Sequence, residues 1–143
     1  MADDTSIEQT IKMVLESSRT IAVVGMSRRP GKPSHDVPAL LIERGFDVIA
    51  VNPHATEILG VPSFATLEDI DRPVDLVDVF RPAPDTPPVA RAAVAIGAKA
   101  LWLQLGIASE ESRKIALEAG LSYVEDRCIA VETRRLAIEK RAS

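Results

Sequence analysis

The sequence predicts an α/β fold, a parallel sheet wound by helices on both faces, and three observations carry that expectation. Apolar β-branched segments alternate along the chain with segments of helical spacing. Runs such as Val48-Ile49-Ala50-Val51 are apolar without alternation, which means burial on both faces of the sheet. Gly45, Gly97 and Gly120 each stand between a helical segment and the next apolar run, where a helix C-terminus needs a residue that tolerates positive φ. Alternating strands and helices with two-sided burial give a doubly wound sheet. Right-handed crossovers leave few topologies, and the order adopted is 3-2-1-4-5 for five strands.

The elements follow in order. Residues 5 to 18 place Ile7, Ile11, Val14 and Leu15 on one helical face, so an extra N-terminal helix over residues 1–18 should dock outside the sheet. The strands are expected at Thr20–Val24, Asp47–Val51, Val74–Phe80, Ala100–Leu103 and Ser122–Glu125. Helices are expected at His35–Arg44, Asp85–Ile96, Ser109–Ala119 and Val131–Lys140, with a helical turn near Leu67–Ile70. Ile58–Phe64, interrupted by Gly60 and Pro62, reads as an extended detour rather than a core strand. Arg141 to Ser143 are expected to fray.

The 143 residues suit one domain spanning 1–143. The net charge of −4 gives no ground for general affinity toward nucleic acid or an anionic membrane. A single cysteine, Cys128, excludes an internal disulfide and suits a reducing cytosol. With no signal-peptide pattern and no apolar run near the ~20 residues of a membrane helix, a cytoplasmic location is expected.

Function is most legible from Thr20 to Ser34. An apolar run stops at Gly25, a loop containing Ser27, Arg28, Arg29 and Lys32 follows, and Ser34 opens a helix. Strand, glycine turn and helix N-terminus together form the unit that holds phosphate in α/β proteins. Glycine lets backbone approach a ligand closely, hydroxyls donate, and the cations neutralise. The spacing is not that of the dinucleotide loop, since Ser27 and Pro30 stand where two of its glycines would be. Val51-Asn52-Pro53 ends the second strand without the carboxylate that an NAD site places there, while Asp47 lies at that strand's other end. NAD is disfavoured, and a phosphorylated ribose remains open.

Ligands bind at the carboxyl ends of the strands in such a sheet. That rule selects Gly25 to Ser34, Asn52 to His54, Phe80 to Pro82, Gln104 to Gly106, and Asp126 to Cys128 as neighbours on one rim. Arg81 stands at a strand end, where a guanidinium can take a phosphate in bidentate fashion. The remaining candidates read as structural. Asp75 and Asp78 should serve hydrogen bonding, Trp102 and Cys128 should be core, and His35 should be a surface residue. No cluster has metal-ligand spacing, and no nucleophile–base order marks a catalytic residue.

These rim segments resemble the CoA-binding domain family, small proteins related to the first domain of the succinyl-CoA synthetase α subunit. The matching words are Val-Val-Gly25-Met-Ser27, Arg-Pro-Gly31-Lys-Pro-Ser34, Val-Ile-Ala-Val-Asn52-Pro53 and Ile58-Leu-Gly60-Val-Pro. They continue with Val74-Asp-Leu-Val-Asp78-Val-Phe80-Arg81, Leu-Trp102-Leu-Gln104-Leu-Gly106 and Glu125-Asp126-Arg127-Cys128. The resemblance implies a Rossmann-like fold with coenzyme A, or an acyl-CoA, across the ends of the first three strands. It implies that Gly25, Ser27 and Ser34 meet the pyrophosphate and that Arg28, Arg29 and Lys32 lie near the phosphates. Val51, Asn52 and Pro53 would line the nucleotide pocket, and Phe80 and Arg81 would flank adenosine or pantetheine. His54 departs from the lysine that often follows Asn-Pro in relatives. Cys128 is followed by Ile-Ala-Val-Glu-Thr instead of a Pro-Lys or similar polar pair. Two other functions compete with simple CoA binding: an NADP-dependent oxidoreductase domain, suggested by the basic loop, and a regulatory module that senses CoA and signals through a protein partner.

Overall fold

The computed structural model describes residues 4–140; the expectation for Arg141 to Ser143 lies outside them. The chain runs α1 (Asp4–Ser17), β1 (Thr20–Val24), α2 (Pro33–Glu43), β2 (Asp47–Val51), β3 (Glu57–Ile58) and β4 (Val61–Phe64). It continues with β5 (Leu76–Val79), α3 (Thr86–Ala95), β6 (Ala100–Leu103), α4 (Glu110–Glu118), β7 (Ser122–Val124) and α5 (Ile129–Arg135). Short 3₁₀ turns at Leu67–Asp69 and Ala83–Asp85 complete it.

The strands form one sheet in the order β3-β4-β2-β1-β5-β6-β7. Every pairing is parallel except the β3–β4 hairpin. The α/β class is as expected, but the sheet has seven strands and the neighbours of the central pair differ. The order 3-2-1-4-5 put Val74–Phe80 on the outer flank of the second strand. In the structure its core, β5, lies on the opposite side of β1, with Ile21 opposite Leu76 and Val24 opposite Val79. The flank of β2 belongs to β4, which pairs through Ser63 and Phe64. Burial explains the exchange. All four residues of β5 are buried and suit the centre, whereas β4 is half-exposed and suits a flank. Pro62 has no N–H to give, and the parallel ladder begins only after it. The segment read as a detour is therefore a strand.

Alternation along β1 divides the core in two. Ile21 and Val23 face α1, α2 and α5, with Ile11, Leu15, Leu41, Trp102 and Ile129. Ala22 and Val24 face α3 and α4, with Val77, Val79, Ala90, Leu103 and Ala116. Ile11, Val14 and Leu15 bury the predicted face of α1. Trp102 is fully buried, and its Nε1–H donates to the Arg127 carbonyl at 2.8 Å. Asp75 accepts from the backbone N–H groups of Arg19 (2.9 Å) and Thr20 (3.0 Å), tying β5 to the start of β1.

Two local expectations are corrected. The last helix covers Ile129–Arg135 rather than Val131–Lys140, because Ala137 turns to φ 54° and stops it. The chain then crosses the end of α2, where the Lys140 N–H donates to the Arg44 carbonyl at 2.7 Å. Gly45, at φ 89°, lies so close that a Cβ there would overlap the Lys140 carbonyl. His35 is buried in the first turn of α2, not on the surface, with Nδ1 3.0 Å from the Asp36 carboxylate.

Candidate functional site

The carboxyl ends of β1, β2 and β4 surround a cleft of about 570 Å³. The topology opens it: the chain leaves β1 toward β2 and later returns to the other side of β1 as β5, which splits the rim at the switch point. The cleft is lined by Gly25, Ser27, Arg28, Arg29, Lys32 and Ser34 from the first loop. Val51, Asn52, Pro53 and His54 come from the second, and Arg81 from the end of β5. Of the residues that the resemblance placed against coenzyme A, only Phe80 is not in the lining. Its side chain packs against the α1–α2–α5 core, and its N–H donates to the Val24 carbonyl at 2.9 Å.

Val24, Met26 and Ala65 also line the cleft and were not among the residues expected to contact a ligand. Ala65 follows β4, so reading Ile58–Phe64 as a strand would have placed it on the rim. Met26 falls within the rim segment Gly25 to Ser34, but its side chain is buried in the core.

Local geometry explains the first loop. Gly25 sits at φ 87°, and a Cβ there would lie 2.8 Å from the Phe80 carbonyl oxygen. Glycine is required by the backbone crossing itself, before any ligand is considered. Its N–H donates to the Val51 carbonyl at 3.1 Å. The Ser27 N–H donates to the Ser34 carbonyl at 2.9 Å, closing the loop onto α2. The Ser27 hydroxyl accepts the Arg29 N–H at 3.0 Å. Asp36 supports the loop from behind, accepting from the Gly31 N–H at 3.1 Å as well as from His35. The hydrogen bond from His35, and then that from Gly31, hold its carboxyl below the ordinary range. Helix α2 starts at Pro33 with no side chain capping its N-terminus. Proline lacks the N–H that would be orphaned there, and the positive end of the helix dipole is left toward the cleft beside Ser34.

Asn52 joins the walls. Its Nδ2 donates to the Met26 carbonyl at 3.0 Å, and its Oδ1 accepts the His54 N–H at 2.8 Å. Its main chain bonds to the β4 side, donating to the Phe64 carbonyl at 2.9 Å and accepting from the Ser63 hydroxyl at 3.2 Å.

Charge distinguishes the cleft from the rest of the molecule. Four cationic side chains, Arg28, Arg29, Lys32 and Arg81, line it, and no carboxylate does, although the protein's net charge is −4. Among the described residues Arg28, Arg29 and Lys32 form no ion pair, and Arg81 has an exposed one with Asp85 at 3.2 Å. Chemically the arrangement suits an extended anion. No group of three or more His, Cys, Asp or Glu residues among those described could hold a metal ion. No described helix is long and apolar enough to cross a membrane.

The other predicted rim segments do not join this cleft. Gln104 to Gly106 and Asp126 to Cys128 do meet one another, through the Gly106 N–H and Asp126 Oδ1 at 2.7 Å. Cys128 is half-buried against the α1–α2–α5 core. Asp78 is fully buried and accepts a hydrogen bond from Gln104 Nε2, and burial pushes its carboxyl up to about 7.

The doubly wound sheet, with a basic, carboxylate-free cleft at its first loop, defines an α/β domain of the Rossmann-like class. Within that class the chain belongs to the CoA-binding domain family, whose profile matches residues 19–134. It is 40% identical over 121 residues to the Bacillus subtilis protein YneT, covering 85% of this chain and 90% of that one. It is 32% identical over 98 residues to acetate–CoA ligase [ADP-forming] II of Archaeoglobus fulgidus, covering 67% of this chain but 15% of the ligase. A Thermus thermophilus structure superposes with a TM-score of 0.85 at 39% identity, over 90% of this chain and 98% of the other. Family membership gives the chain a CoA-related role.

Proposed function

We propose that the chain binds coenzyme A, or a short acyl-CoA, non-covalently in the cleft at the ends of β1, β2 and β4. The observation that carries this reading is the four-cation, carboxylate-free lining beside an uncapped helix N-terminus. CoA has a pyrophosphate and a ribose 3′-phosphate, so it offers several anionic groups to such a surface. Gly25, Ser27 and Ser34 would meet the pyrophosphate, with Arg28, Arg29 and Lys32 around the phosphates. Val51, Asn52 and Pro53 would border the nucleotide, and Arg81 would reach it from β5. Phe80 would act only through its backbone, which shapes the turn at Gly25.

Thermal unfolding with candidate ligands tests the proposal. Saturation at about a hundred times the dissociation constant adds roughly 2.7 kcal/mol, on the order of 5–15 °C in a domain of this size. CoA should produce that shift and NAD should not. A shift with NADP and none with millimolar CoA would favour an oxidoreductase domain instead.

A further inference from the structure

We propose that Asn52 determines ligand specificity, selecting a 3′-phosphorylated ribose over a ribose with both hydroxyls free. This rests on the CoA reading of the cleft and adds to it the residue that discriminates. Dinucleotide sites hold the adenosine ribose with a carboxylate at the end of the second strand. Asn52 occupies that place, directly after Val51, and lines the cleft. Both ends of its amide are already engaged: Nδ2 with the Met26 carbonyl at 3.0 Å and Oδ1 with the His54 N–H at 2.8 Å.

Two consequences follow from this geometry. The Met26 carbonyl requires a donor, so a carboxylate at position 52 would face an acceptor with an acceptor. The chain thus disfavours the residue that holds a ribose diol. A neutral amide also places no negative charge against a phosphate, so it does not oppose Arg28, Arg29, Lys32 and Arg81. Loss of diol recognition and gain of phosphate tolerance are therefore two results of one side chain.

Paired titrations of CoA and dephospho-CoA, with circular dichroism on each sample, test the proposal. Asn52→Asp should reduce the preference for CoA over dephospho-CoA by about tenfold or more, because the new charge repels the pyrophosphate of both ligands alike but meets a 3′-phosphate only in CoA. Asn52→Ser loses the clamp without adding charge, and should weaken both ligands by a similar factor. If Asn52→Asp also weakens both equally, Asn52 is only a clamp and the proposal is overturned. Should Asn52→Asp not fold, the unmodified chain decides the matter through dephospho-CoA and its 2′-deoxy form. Removing the 2′-hydroxyl should change affinity by less than about threefold, since no acceptor is reserved for it. A loss of roughly tenfold or more would show that the hydroxyl is held, and would overturn the proposal. Failure of the underlying CoA reading looks different: the unmodified chain would then bind neither CoA nor dephospho-CoA.

Discussion

The two halves of the sheet's carboxyl rim have the same architecture and opposite chemistry. Around β1, β2 and β4 the rim presents Arg28, Arg29 and Lys32, which form no ion pair among the described residues, and an uncapped helix start. Around β5, β6 and β7 it uses its polar groups internally. Gln104 donates to Asp78 and accepts the Ile129 N–H at 3.3 Å. The Gly106 N–H goes to Asp126, the Asp126 N–H to the Ile107 carbonyl at 3.1 Å, and the Trp102 N–H to the Arg127 carbonyl. The halves differ in whether the charges at their strand ends already have protein partners; position at a strand end is common to both. Changes in the open half should therefore cost binding, and changes in the closed half should cost stability.

Gly25 is where that division should break most strongly. Valine would be forced to φ 87° with its Cβ against the Phe80 carbonyl. The expected loss is about 3 kcal/mol or more of folding stability, together with ligand binding. Denaturant unfolding of Gly25→Val checks it; an unchanged midpoint would mean that the crossing of β1 and β5 can relax.

Asp78 tests the closed half. Its carboxyl is raised to about 7 by burial, so the folded state holds a proton that the unfolded state releases from about pH 4 upward. Stability should fall between pH 4 and 7, and the penalty should be fully present above 7. Asp78→Asn keeps an acceptor for Gln104 without the charge. It should flatten this slope and unfold at higher denaturant than the original at pH 8, by on the order of 1–3 kcal/mol, with CoA affinity unchanged. Equal unfolding free energies from urea titrations of the original chain at pH 5 and pH 8 would contradict the assignment.

Arg28, Arg29 and Lys32 test the open half. Alanine at whichever of them contacts a phosphate should lower CoA affinity by roughly tenfold, since charge-assisted bonds contribute about 1.5–3 kcal/mol. Unfolding without ligand should stay within about 0.5 kcal/mol of the original. Calorimetric titration at low and high salt should show the difference shrinking as screening increases. The smallest effect is expected at Asp85, whose exposed pair with Arg81 contributes at most about 1 kcal/mol. Asp85→Asn should leave stability unchanged and raise CoA affinity by a few-fold at most, because it releases Arg81 and removes a carboxylate near the cleft. A fall in affinity would mean that Asp85 holds Arg81 in its binding position.

The amino-acid sequence by itself determined the α/β class, the first loop and most of the cleft's lining. Those depend on local signals: apolar runs, a glycine at a strand end, and cations between that glycine and the next helix. Tertiary structure decided which strands are neighbours, because parallel strands joined by crossovers carry no local mark of their partners. It placed β5 beside β1 and turned Val61–Phe64 into a strand, which brought Ala65 to the cleft. It also decided which strand ends are available to a ligand. Gln104 and Asp126 are as polar as Asn52 and stand at equivalent strand ends. Only side-chain pairing across the sheet shows that the first two serve the closed half and the third braces the cleft. Hydrogen-bond partners distant in sequence, such as Asn52 and Met26 or Gln104 and Asp78, are set by packing, which no local pattern encodes.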